Sequence, residues 1–163
     1  MRRWLVGLLL CLGAWAGPDA HACGDKFLVI GRGVRRIPRA AHPASILLYM
    51  NSDSRLPAAA RDLKLEASLK EAGHSVAVAE NPARLKEQLG TGRYDLVIAD
   101  LADARAIHAA GARPLVVPVA YHPTSAELAK GRDEFGRVVE APQKGVAFLR
   151  LIDDAAKQAL PGR

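Results

Sequence analysis

The chain has 163 residues, of which half are hydrophobic and only 5% aromatic, and its formal net charge is +6. This length and apolar content suit one globular domain rather than a disordered or fibrous chain. A modest positive charge does not by itself imply a nucleic acid partner, and so few aromatic side chains offer little stacking surface for bases; nucleic acid is therefore not an expected partner.

The first 22 residues have the pattern of a secretory signal peptide. Two arginines precede an apolar run over residues 4–16, which is too short to span a bilayer. Ala20 and Ala22 then supply small residues at the two positions that a signal peptidase recognises. We therefore predict a periplasmic protein that begins at Cys23, with a second possible cleavage after Ala16.

Cys23 leaves two forms of export open. A cysteine directly after the cleavage point could be lipidated, which would anchor the protein to a membrane. The favoured prediction is soluble export, because Ala20 stands where a lipobox usually has an aliphatic residue and His21 lies inside the box. Cys11 leaves with the signal, so the mature 141 residues hold one cysteine and no intramolecular disulfide. A lone thiol keeps a homodimer possible.

Strands alternate with helices along the mature chain. The predicted elements are a strand over 26–30, an irregular basic segment over 34–43, a strand over 44–50, a helix over 56–72, a strand over 74–79, a helix over 82–89 capped by Asn81, a strand over 94–99, a helix over 102–110, a strand over 114–121, a short helix from Thr124 that breaks near Gly131, a weak strand over 135–140 and a helix over 145–160. The strands are continuously apolar, which is typical of a parallel sheet covered on both faces. The sequence predicts a single α/β domain over 23–163 with a doubly wound parallel sheet and an extra N-terminal strand.

Two segments resemble response-regulator receiver domains. The run Asp95–Leu101 is similar to the receiver strand that carries the phospho-accepting aspartate, and 135–142 is similar to the last receiver strand with its following proline. The resemblance covers about residues 45–160 and implies a flavodoxin-like (CheY-like) three-layer sandwich. Tyr94–His122 also bears a weaker resemblance to one strand-helix-strand unit in a lobe of exported substrate-binding proteins. A chain with one such lobe would bind a substrate only by dimerisation or in a very shallow site.

The receiver resemblance places Asp100 at the phosphorylation position, but its companions differ. The family would have an acidic pair after the first strand, where this chain has Asn51-Ser52-Asp53. The family's hydroxyl falls near Ala120 or Tyr121, and its lysine would stand where this chain has Glu140-Ala141. Phosphoryl transfer needs a held Mg²⁺ and groups that meet the phosphoryl oxygens. Phosphotransfer is therefore not expected.

The candidate ligand-binding residues lie where strands end, at the C-terminal edge of the predicted sheet. They are Asn51, Asp53, Asp100, Tyr121 and His122. Ligands collect at this edge in parallel α/β sheets. Asp100 keeps two interpretations: it caps the following helix, or it contacts a ligand or metal together with Asn51 or Asp53.

A cluster of arginines forms a second candidate, for a small anion. Its members are Arg32, Arg35, Arg36 and the nearby Arg39. The alternative is a solvated basic loop. Gly31-Arg32-Gly33 does not complete a dinucleotide-binding pattern, because Arg36 stands where the third glycine would be.

The sequence favours a non-catalytic binding or protein-interaction module, with a small anion or a metal as candidate ligands at the sheet edge. It offers no catalytic residue, no metal-ligand spacing and no identifiable cofactor: CxxC, HExxH and GxSxG patterns are all missing from the sequence. The partner, protein or small molecule, is not specified. The alternative is a periplasmic enzyme or redox protein that uses Cys23 and Asp100 with a metal or cofactor.

Overall fold

The computed structural model describes residues 37–143 and 146–160. Within these ranges the elements, in chain order, are β1 (Ser45–Tyr49), α1 (Leu56–Leu63), α2 (Leu65–Ala72), β2 (Ser75–Ala79), α3 (Pro82–Gly90), β3 (Leu96–Asp100), α4 (Leu101–Ala109), β4 (Leu115–Tyr121), α5 (Ser125–Phe135), β5 (Val139–Ala141) and α6 (Ala147–Ala159). The predicted strand over 26–30 lies outside the described residues. None of the helices described is long and apolar enough to cross a membrane.

The strands form one parallel sheet in the order β2-β1-β3-β4-β5. β3 lies at its centre, and its residues Leu96, Val97, Ile98 and Ala99 are completely buried. A strand buried on both faces must be apolar along its whole length, which is the pattern that the sequence shows. The predicted doubly wound, flavodoxin-like sheet is confirmed.

Successive side chains of β1 and β3 enter two separate cores. Leu48 and Ile98 face a core that α1, α2 and α6 cover, with Phe148 of α6 fully buried in it. Leu47 and Val97 face the opposite core, against residues of α3 and α4. Because side chains alternate along a strand, β1 and β3 supply both layers, and burying each large aliphatic side chain stabilises the fold by roughly 1.5–3 kcal/mol.

Two predicted helices differ from the observed ones. The helix over 56–72 is two helices, because Lys64 adopts a left-handed conformation (φ 49°) between them. The helix after Thr124 does not break near Gly131 but continues to Phe135, and Gly136 (φ 71°) ends it. Phe135 therefore belongs to α5, and the last strand is confined to Val139–Ala141.

Two predicted helix starts are confirmed by their capping bonds. The Asn81 side chain accepts a hydrogen bond from the Arg84 backbone N–H at 2.9 Å. Thr124 and Glu127 form a reciprocal capping box, in which the Glu127 carboxylate accepts from the Thr124 backbone N–H at 2.8 Å. These bonds fix where α3 and α5 leave the carboxyl ends of β2 and β4.

Candidate site at the carboxyl edge of the sheet

The five candidate ligand-binding residues all lie at the carboxyl edge of the sheet. Asn51 and Asp53 follow β1, Asp100 is the last residue of β3, Tyr121 is the last residue of β4, and His122 follows it. Parallel strands end at one edge, so this placement follows from topology alone. Their side chains nevertheless form two groups, with Asp100 between them.

Asp100 caps helix α4. Its Oδ1 accepts a hydrogen bond from the Ala102 backbone N–H at 3.0 Å, and its backbone is extended, as an N-cap requires. A cap of this kind stabilises a helix by about 0.5–2 kcal/mol. Asp100 also lines a small cavity, so the capping role leaves the ligand interpretation open.

The first group joins Asn51 to Asp103, a residue of α4 that is not among the predicted ligand-binding residues. The Asn51 Nδ2 donates a long hydrogen bond of 3.5 Å to Asp103 Oδ1, while Asn51 Oδ1 accepts from the Asp53 backbone N–H at 3.3 Å. The second oxygen of Asp103 is buried without a hydrogen-bond partner in the described part of the chain. The signal for Asp103 was its position, three residues after Asp100 in the first turn of the same helix.

Electrostatics at Asp103 favour its protonated form. Burial raises the pKa of the Asp103 carboxyl, and the negative charges of Asp100 and Asp53 raise it further, against the opposing hydrogen bond from Asn51. Burial and the charge of Asp103 likewise raise the pKa of the Tyr49 phenol, with a smaller effect from Asp53. The group is therefore a cluster of carboxylates that form no ion pair with a described cation.

The second group surrounds a cavity of about 90 Å³ between β3 and β4. Asp100 and Tyr121 line it with Arg55, Arg105 and Glu127; Asn51, Asp53 and His122 do not. Its two guanidinium groups have carboxylate partners. Arg55 lies 3.8 Å from Glu127 and donates to the Tyr121 carbonyl at 3.2 Å, while Arg105 Nε donates to Glu134 at 2.7 Å.

Tyr121 and His122 are held by contacts of their own. The Tyr121 hydroxyl donates to Asp62 Oδ2 at 2.8 Å, which, as the largest cause, raises the pKa of the phenol. The His122 backbone is left-handed (φ 46°), its N–H donates to the Ala141 carbonyl, and its ring stands edge-on to Tyr121 with centroids 4.4 Å apart. These contacts order the β4–α5 turn rather than aim His122 into the cavity.

Of the remaining candidate residues, only Arg39 lies within the described part of the chain. Arg32, Arg35, Arg36 and Cys23 lie outside the described residues, so the predicted arginine cluster there stays a prediction. Arg39 is described and is exposed. Within residues 37–143 and 146–160, no three His, Cys, Asp or Glu side chains come together as metal ligands would.

Comparison with known proteins shows the fold. The chain is similar to a solved signal receiver domain from Vibrio parahaemolyticus, with 16% identity, a TM-score of 0.50, and coverage of 72% of this chain and 92% of that one. An orphan response regulator of H. pylori (20% identity, TM-score 0.45, 73% and 99% coverage) and a response regulator receiver domain from Clostridium thermocellum (16%, 0.45, 71% and 93%) are also similar. No family model and no curated protein matches the sequence. The chain thus has the receiver fold.

Proposed function

We propose that this protein is an exported, non-catalytic binding module built on the receiver fold. The observation that carries the proposal is the state of Asp100: its carboxylate caps α4, and the groups around it are not those that phosphoryl transfer needs. The predicted signal peptide supports export.

The chemistry of a receiver requires a cation and a hydroxyl beside the accepting carboxylate. Here the Asn51 amide follows β1 in place of a carboxylate, and the strand beside Asp100 places Ala120 and Tyr121 at its end. On the next strand Ala120 pairs with Glu140, and Ala141 precedes the proline. Ala141, which stands where the family has its lysine, cannot offset the charge that develops on a transferring phosphoryl group.

A phosphorylation assay tests the non-catalytic part. Purified protein is incubated with Mg²⁺ and acetyl phosphate, and the intact mass is compared with that of the Asp100→Asn variant treated in parallel. We expect no mass increment of one phosphoryl group in either protein. An increment in the unmodified chain that the Asp100→Asn variant lacks would overturn the proposal.

A thermal-shift panel tests the binding part at the same edge. The probes are divalent cations, small oxyanions and flavin nucleotides, and the matched variant is Asp100→Ser, because serine also caps helices but removes the carboxylate. We expect at least one probe to raise the melting temperature of the unmodified chain and to lose that effect in Asp100→Ser. A panel without any shift would remove the small-ligand proposal for this edge and leave a protein partner.

A further inference from the structure

A second cavity lies at the opposite, amino-terminal edge of the sheet, beneath helix α6. It has a volume of about 150 Å³ and is lined by residues of three stretches of the chain (38–40, 72–74 and 146–153), among them Arg39, Ala72, His74, Leu149, Arg150 and Asp153. His74 immediately precedes β2, which places the cavity at the far end of the sheet from Asp100. A cavity of this size can hold a few atoms of ligand beyond a single water molecule.

His74 brings an unsatisfied donor to this cavity. The side chain is 5% exposed, and its Nδ1 accepts a hydrogen bond from the Ala44 backbone N–H at 3.2 Å. A nitrogen that accepts carries no hydrogen, so in the neutral ring Nε2 carries it. Nε2 has no hydrogen-bond partner among the described residues. A buried donor left unpaired destabilises the folded state by about 1–3 kcal/mol, which an acceptor atom in the cavity would relieve.

The charged side chains around the cavity favour an acceptor that is negative. Arg39 and Arg150 line it, both are exposed, and neither forms an ion pair with another described residue. The one acidic residue of the wall already has a partner: the Asp153 carboxylate accepts from the His42 backbone N–H at 2.8 Å and lies 3.4 Å from the His42 ring.

We propose that this cavity, here called the His74 cavity, binds a small oxyanion, either a carboxylate or a phosphate group. One oxygen of the anion accepts a hydrogen bond from His74 Nε2. The guanidinium groups of Arg39 and Arg150 offset the negative charge of the anion, and their planar donor geometry fits both a carboxylate and a phosphate. This site is separate from the one under the proposed function, because it shares no residue with the Asp100 edge.

The test titrates the full chain with sodium phosphate and, separately, with sodium acetate, each at constant ionic strength balanced by chloride. The double variant Arg39→Gln/Arg150→Gln removes the guanidinium groups without touching the core. Arg113→Gln/Arg132→Gln is the matched control, since it removes the same charge from two exposed positions outside the His74 cavity. We expect saturable binding of at least one anion, weakened about tenfold or more in the first double variant and retained in the control.

A second measurement isolates the histidine. His74→Asn keeps an oxygen that can accept from Ala44 while removing the Nε2 donor, and we expect weaker anion binding in it. Should that variant not fold, the NMR signal of the His74 side-chain N–H in the unmodified chain must shift on saturation with the anion. Absence of saturable binding of both anions, or equal weakening in both arginine double variants, would overturn the proposal. Anion binding that survives Asp100→Ser separates this site from the carboxyl edge.

Discussion

Asp103 is the residue at which the carboxyl edge departs most from ordinary surface chemistry. One carboxylate oxygen is buried without a partner in the described chain, and two further aspartates contribute negative charge nearby. A carboxylate in such surroundings is destabilising when ionised, because burial removes part of its hydration and no described cation forms an ion pair with it. The folded chain therefore binds a proton at Asp103 more readily than the unfolded chain does.

This difference predicts the effect of Asp103→Asn on stability. Because the folded pKa of Asp103 lies above its unfolded value, stability falls as the pH rises from the unfolded pKa through the folded pKa, and the penalty is fully present above the folded pKa. We expect the variant to be more stable than the unmodified chain at pH 7, by less than about 1 kcal/mol because the group is partly solvated. The gain should shrink as the pH falls toward 3.8, the ordinary value.

Urea unfolding at several pH values between 4 and 7 measures this, with Asp133→Asn, an exposed aspartate, as the control. A gain in stability that is independent of pH, or that the control reproduces, would contradict the assigned role of Asp103.

For single residues, the sequence predicts which of them lie at the sheet edge, but it does not predict which side chains contact each other there. Asp100 and Tyr121 end apolar strands, and parallel topology then brings them to one edge. The Asn51–Asp103 contact depends on the rotational phase of α4, and the guanidinium of Arg55 reaches the Tyr121 carbonyl across 66 positions of sequence. Neither contact has a local signal.

At the scale of elements, the break at Lys64 explains a pattern that one helix cannot accommodate. Leu56, Ala59, Ala60 and Leu63 are buried at helical spacing, and so are Leu65, Ser68, Leu69 and Ala72. Leu63 and Leu65 are only two positions apart, which on one continuous helix would point them to nearly opposite sides. A left-handed residue between them resets the phase, so both sets face the same core.

At Gly131 the sequence predicts a break in the helix, but the helix continues through it. The glycine instead has a packing role. A Cβ at this position would lie 3.0 Å from Val138 Cγ2 and 3.2 Å from Leu101 Cδ1, both closer than nine in ten contacts that Cβ atoms make. The absence of a side chain therefore lets α5 approach its neighbours closely. A glycine within a polar stretch gives the same sequence signal in either role.

The strained backbone at Lys64 predicts a stabilising substitution. A left-handed conformation is unfavourable for a residue with a Cβ by roughly 1–2 kcal/mol, whereas glycine adopts it readily. Part of the gain is offset because glycine makes the unfolded chain more flexible. We expect Lys64→Gly to raise the free energy of unfolding by up to about 1 kcal/mol.

Chemical denaturation of Lys64→Gly and Lys64→Ala together separates backbone strain from side-chain loss, since alanine keeps the Cβ. Equal stability changes in the two variants, or destabilisation by glycine, would show that the turn between α1 and α2 is not strained.

At the scale of the whole molecule, the two ends of the parallel sheet differ in chemistry. The carboxyl edge carries Asp53, Asp100 and Asp103, while the amino edge carries the His74 cavity, whose two guanidinium groups form no ion pair with another described residue. Both ends are built by residues 37–160, and the first strand of the sheet begins at Ser45. The five described strands lie between Ser45 and Ala141, so the proposed removal of residues 1–22 would leave all five in the mature chain.

The proposed export makes a prediction about the mature chain. We expect a bacterial host to move the protein to its periplasm and to cleave it after Ala22, because small residues at positions 20 and 22 follow a short apolar run. Intact-mass measurement of the periplasmic protein should give a chain that starts at Cys23. The Ala22→Arg variant, which places a large residue where the signal peptidase needs a small one, should remain an uncleaved precursor. Cleavage after Ala16 would appear as six additional residues, and lipidation as an added mass that Cys23→Ser abolishes. Recovery of the unmodified chain uncleaved in the cytoplasm would refute export.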